Sequence, residues 1–279
     1  MSTQPLRLRT TTAKPADTAD TANTANTAKS VTRPAPAARP RRRRGQWIPP
    51  QHGAWAMLLV PYAAGLIAVG FSWVQLPLLL AWVGGYLLSY FALLAVKTRR
   101  PGRVRAQLLL YGGVTAAAGV TVLLARPQLL LFAPLFAAVL AVNGLFARAR
   151  RDRALANGLV SVVAATLVLP VVAVAGGASP WEVADPFLVT LLYFTGSLLF
   201  VRTTIRERGN RRVLAVSLVF HALALAAAAW VALPYAVPFT GFLIRAAVLP
   251  PRGLTPKWIG IAEIISSVAL LVTIALVTS

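Results

Sequence analysis

Three consecutive stretches decide the fold: LPLLLAWVGGYLLSYFALLAV over residues 76–96, KTRRPGRVR over 97–105, and AQLLLYGGVTAAAGVTVLLA over 106–125. At about 1.5 Å per residue, either apolar run crosses roughly 30 Å of hydrocarbon as a helix. The connector holds Lys97, Arg99, Arg100, Arg103 and Arg105 and no acid. Working outward, cations gather in every second gap between apolar runs. The basic gaps are the tail ending Arg39, Arg41, Arg42, Arg43, Arg44; then the connector just quoted; then Arg148, Arg150, Arg151, Arg153; then Arg202, Arg206, Arg208, Arg211, Arg212; then Arg252 and Lys257. The gaps between them hold Arg126 and two acids, Glu182 and Asp185. A water-facing surface has no reason to alternate in this way. A polytopic membrane protein does, because its cationic loops stay on the cytoplasmic side.

Composition agrees. The chain has 279 residues, of which 57% are hydrophobic and 13% charged, with net charge +21 and mean hydropathy +0.69. So few charges and such long apolar runs imply a bilayer as solvent. The basicity is divided among short loops beside spans, which reads as contact with anionic lipid, so no nucleic-acid partner is expected. There is no cysteine, which excludes disulfides, thiolate nucleophiles and thiolate metal sites. With two histidines only, His52 and His221, no metal site and no cofactor is expected.

Two regions are expected. Residues 1–46, with DTADTANTANTAKS and PRRRRG, read as a disordered basic cytoplasmic tail. Residues 47–279 read as an all-α transmembrane bundle of about nine spans: 54–73, 76–96, 106–125, 128–147, 155–176, 186–202, 212–233, 236–250 and 258–278. Pro61, Pro134 and Pro170 fall inside these runs and predict kinks. Nine spans with the N-terminus in the cytoplasm place the C-terminus outside the cell membrane, and every basic gap inside.

Ionisable groups within spans are functional candidates because hydrocarbon makes them costly. Glu263 lies two turns into the ninth span and His221 lies within the seventh, while His52 opens the first and Arg245 sits near the end of the eighth. They predict one polar, cytoplasm-facing cavity, with His52, His221 and Glu263 as candidate catalytic groups. An alternative pairs Glu263 with Arg245 structurally. In the loop VRTTIRERGNRR, spacing pairs Arg202 with Arg206 on one face and Glu207 with Arg211, and Gly209 followed by Asn210 suits a helix end. Arg202, Arg206, Arg208 and Arg211, with Lys97, Arg99 and Arg100 of the earlier loop, are the anion-binding candidates.

The runs WIPPQHGAWAMLLVP, KTRRPGR, VNGLFARARRDRALANG, VRTTIRERGNRR and PKWIGIAEI resemble the YwiC-like family of bacterial integral membrane proteins. The resemblance covers about residues 47–279 and implies a bacterial inner-membrane location without an established reaction. More distantly, the chain resembles the UbiA-type intramembrane prenyltransferases, which share nine spans, a cytoplasm-facing cavity and functional loops after the second and sixth spans. Those enzymes hold Mg²⁺ with Asp-rich motifs. Here the first loop has no acid and the second only Glu207, so a shared fold would come without that metal chemistry. The functional expectation is an anionic lipid or isoprenoid-type ligand at a cytoplasmic polar cavity. The alternatives are a proton-coupled transporter and a non-catalytic membrane accessory subunit.

Overall fold

The computed structural model describes residues 47–49, 52–151 and 153–279, with the backbone alone for His52. The tail expected over 1–46 lies outside the described residues. Within them the chain is helical and contains no strand. The helices are α1 (His52–Val69), α2 (Gln75–Thr98), α3 (Arg105–Ala125), α4 (Ala133–Arg148), α5 (Leu155–Thr166), α6 (Val168–Gly176), α7 (Ala184–Val201), α8 (Arg211–Val231), α9 (Ala236–Val248) and α10 (Pro256–Thr278). Short 3-10 turns extend several of them.

Eight runs among the described residues are long and apolar enough to cross a membrane. They include Leu233–Arg252, which contains the expected eighth span. The helix α1, with 18 residues or about 27 Å of rise, adds a shorter ninth. The chain is therefore a multi-pass membrane protein.

Proline explains the internal punctuation. One span is broken at Leu167, where α5 gives way to α6. Pro170 lacks the N–H that would bond the carbonyl of Thr166 four residues back, so the ladder opens there. Pro61 sits inside α1. Pro134, expected to kink a helix, instead stands in the first turn of α4 after a 3-10 turn over Pro127–Phe132. A missing N–H costs nothing at that position. The run expected over 186–202 is longer than the sequence suggests. It begins with a 3-10 turn at Pro180, capped by Ser179 and Glu182 acting reciprocally, and it ends in a π turn over Arg202–Arg206.

Hydrogen bonds sort the connectors onto two ends. Arg206 Nη1 donates to the carbonyl of Arg153 at 3.1 Å, and Arg208 Nη2 donates to that of Leu254 at 3.0 Å. These bonds join the connectors after the fourth, sixth and eighth spans, all of them basic. Elsewhere, Gln75 Nε2 donates to the carbonyls of Gly70 at 3.3 Å and Val172 at 3.2 Å, and Arg126 Nε donates to that of Ala175 at 3.2 Å. The connectors after the first, third and fifth spans thus meet at the other end.

Gln75 is the knot of that second end. It is fully buried, its Oε1 accepts from the Ser72 N–H at 2.6 Å, and its own carbonyl accepts from the Tyr62 hydroxyl. One side chain closes the α1–α2 turn and ties it to α6. Two apolar cores flank it. One packs Val60 and Ala64 of α1 against Tyr193 of α7, Phe239 of α9 and Leu270 of α10. The other packs Tyr62 against Leu78, Val122 and Val172. Replacing Gln75 with Leu leaves buried donors and acceptors unanswered, at a cost of about 1–3 kcal/mol. The expected outcome is a lower midpoint of thermal unfolding in detergent, read by tryptophan fluorescence; an unchanged midpoint would show that the knot contributes nothing.

Candidate functional site

Four helices bring polar side chains together inside the bundle. α7 supplies Tyr193 and Ser197, α8 supplies His221, α9 supplies Arg245, and α10 supplies Glu263, Ser266 and Ser267. Residues 193 and 197 are four apart, as are 263 and 267, so each pair shares a helix face.

The centre is an ion pair between Arg245 and Glu263. Arg245 Nη1 lies 2.6 Å from Glu263 Oε1, with the two side chains 7% and 16% exposed. That approach is an ion contact rather than an aligned hydrogen bond. Nη1 also donates to Ser266 Oγ at 2.9 Å. The guanidinium carbon sits 4.4 Å from the centre of the Phe200 ring and 5.6 Å from that of Phe242, so two aromatic faces help to hold the cation away from water. Two of its nitrogens, Nε and Nη2, are buried without a hydrogen-bond partner.

Glu263 Oε2 accepts from the Ser197 hydroxyl and lies 3.3 Å from the Tyr193 hydroxyl. That hydroxyl is also 3.1 Å from the Glu263 carbonyl and 2.9 Å from Ser267 Oγ. A phenol has one proton, so only one of these contacts is its donation at any moment. The network has more acceptors than protons, which is the arrangement in which a proton has somewhere to go.

His221 faces the same region. Its Nδ1 is 2.7 Å from the carbonyl of Ser217, one turn back. A carbonyl only accepts, so Nδ1 carries the hydrogen, and in the neutral ring Nε2 is an acceptor. Nε2 is buried and unpartnered. The ring lies directly over Gly196 of α7, where a Cβ would come within 3.0 Å of Nε2. A side chain at position 196 would push the imidazole back by a few tenths of an ångström.

Of the sequence candidates, His221 packs on Gly196, the residue before the Ser197 that bonds Glu263, and the alternative Arg245–Glu263 pair is formed. His52 stands at the first position of α1, and its side chain lies outside the described atoms. Tyr193, Ser197, Ser266 and Ser267 are additional members that sequence reading missed. The signal for them was their spacing four apart, or three from Glu263, along apolar helices.

The arginine loop is rearranged relative to expectation. Glu207 pairs with Arg202 rather than Arg211, because the π turn carries the Glu207 N–H back to the Arg202 carbonyl, five residues earlier, at 2.8 Å. Asn210 Nδ2 then donates to Glu207 Oε2 at 3.1 Å, while its Oδ1 accepts from the N–H groups of Arg212 and Val213 as the cap of α8. Gly209 supplies the left-handed backbone between them. Glu207, Gly209 and Asn210 thus build the turn that presents the arginines. Arg206 and Arg208 bond neighbouring carbonyls, and Arg211, Lys97, Arg99 and Arg100 are exposed.

Known proteins resemble this chain in sequence. A family model described as YwiC-like protein matches residues 48–173. The chain is 32% identical over 231 residues to a protein of Bacillus subtilis (strain 168) described as "Uncharacterized protein YwiC", covering 79% of this chain and 93% of that one. It is 28% identical over 222 residues to an uncharacterized protein of Haemophilus influenzae, covering 76% of this chain and 90% of the other. No solved structure matches.

The buried pair makes a sharp stability prediction. Glu263→Met or Arg245→Met alone strands a buried charge and costs about 3–5 kcal/mol. The double change Arg245→Met with Glu263→Met removes both charges and returns most of that loss. A double-mutant cycle on unfolding in detergent checks this; equal and additive losses would contradict a coupled pair.

Proposed function

The chain belongs to the YwiC-like family, and on that premise we propose that this multi-pass membrane protein binds the phosphate-bearing head of an anionic lipid or isoprenoid-type ligand on its basic side. One observation carries the reading: the Arg245 guanidinium is buried in the membrane domain, yet Nε and Nη2 lack partners. Those two nitrogens form one edge of a planar fork whose spacing matches two oxygens of a phosphate or carboxylate. Leaving such donors empty is costly, and an incoming oxyanion answers them.

The remaining groups divide the work. Lys97, Arg99, Arg100 and Arg211, exposed on the basic connectors, raise the local concentration of anionic heads. Arg202, Arg206 and Arg208 hold the loop in shape and add to the field. Glu263, bonded through Oε2 to Ser197, is the group that accepts a proton, with His221 Nε2 as the second acceptor. The basic side is the cytoplasmic one by the sign of its loops, which puts the C-terminus outside. A UbiA-type arrangement of the nine spans belongs to the same reading, with the basic connectors after the second and sixth spans in the place of that superfamily's functional loops.

A second reading, proton-coupled transport, is favoured by the hydrogen-bonded run from Ser267 through Tyr193 to Glu263 and Ser197. Such intramembrane chains of ionisable and hydroxyl groups suit proton relays.

Mass spectrometry of lipids retained after purification in mild detergent separates these readings. Wild type is compared with the variant carrying Arg245→Met and Glu263→Met, which is expected to keep the fold because both buried charges are removed together. The expected result is a phosphate-bearing lipid or isoprenoid species enriched in wild type and depleted in the variant. Identical profiles would overturn the anion-site reading. If in addition the wild type in liposomes dissipated an imposed pH gradient and the variant did not, the transport reading would take its place.

A further inference from the structure

We propose a second lipid site at the opposite end of the bundle, where Arg126 seats the phosphodiester of an anionic phospholipid and an adjoining groove takes its acyl chain. Arg126 is the single cation in the connectors of that end, among the described residues. It runs against the rule that keeps cations on the other side, so sidedness does not account for it.

The geometry shows how it is placed. Nε donates to the Ala175 carbonyl at 3.2 Å, which fixes the plane of the guanidinium. Nη2 lies against Gly177, where a Cβ would stand only 3.1 Å away and where φ is +91°. A residue with a side chain there would be strained and would press on the guanidinium. The two acids of that end do not neutralise it. Among the described residues neither forms an ion pair with it; Glu182 is bound to the Ser179 N–H at 2.7 Å, and Asp185 sits in the first turn of α7, where the helix dipole welcomes it.

Beside Arg126 opens a cavity of about 390 Å³, lined also by Gln128, Phe132 and Pro180. Phe132 and Pro180 are shared with a second cavity of about 360 Å³, whose wall continues through Trp181 and Phe187 and carries no charged side chain. The result is a groove with a cation and an amide at one end and an apolar floor beyond. That polarity matches one molecule end to end: an anionic head with a hydrocarbon chain. A zwitterionic head would bring its own cation toward Arg126, and a free anion would leave the apolar floor without a partner.

The test uses the full chain in nanodiscs containing a trace of phosphatidylglycerol or phosphatidylcholine, each with a diazirine on one acyl chain. After irradiation, cross-links are mapped by peptide mass spectrometry. Phosphatidylglycerol is expected to label segments 127–136 and 180–188 about fivefold more than phosphatidylcholine, the preference that one basic residue confers on anionic lipid. Arg126→Gln should reduce that labelling to the phosphatidylcholine level, and Arg126→Lys should keep most of it. Labelling of segments beside the basic connectors serves as the folding control and reads the other lipid site separately. Equal labelling of the groove by the two wild-type lipids would overturn the proposal without any variant. So would groove labelling that survives Arg126→Gln unchanged.

Discussion

Hydrocarbon offers no hydrogen bonds, and the rest of this structure follows from that constraint. Every backbone N–H in hydrocarbon must be answered inside a helix, so the described spans are helical. Charges are confined to the connectors or must find partners. The two exceptions to confinement, Arg245 and Glu263, find each other at 2.6 Å. Where proline removes a backbone donor inside a run, at Pro170, the helix breaks beside it. Where an amide is buried, at Gln75, its donor and acceptor atoms are all used.

The same constraint governs what the sequence revealed. Spans were legible because twenty apolar residues in a row have few other uses. The Arg245–Glu263 pair was legible because two opposite charges in neighbouring spans at similar depth have strong reason to meet. Partners on the far side of a helix–helix contact were not legible. An apolar run carries little record of which face meets which neighbour, so Tyr193 and Ser197 looked like ordinary residues of a span. The arginine loop misled for a different reason. Spacing of i, i+4 assumes an α-helix, and the π turn at Arg202–Arg206 moved Glu207 onto Arg202.

Two ends with opposite character emerge. At the basic end, arginines bond to carbonyls of neighbouring connectors and fasten the ends of the later spans together, while further cations stay exposed. Beneath them lies the Arg245–Glu263 centre, in which Arg245 Nε and Nη2 have no hydrogen-bond partner. At the other end a single arginine is pinned by Ala175 and Gly177 beside an apolar groove. Both places combine a fixed guanidinium with apolar surroundings, an arrangement suited to amphiphiles with anionic heads.

Sidedness underlies every functional statement, and the chain offers a clean way to measure it, because it contains no cysteine. Single cysteines at exposed positions, Arg100→Cys, Arg211→Cys and Trp181→Cys, can be probed in intact cells with a membrane-impermeant maleimide. The account predicts that the cysteine at position 181 reacts in intact cells, whereas those at 100 and 211 react only after the membrane is opened. Reaction of positions 100 and 211 from opposite faces of the bilayer would contradict it.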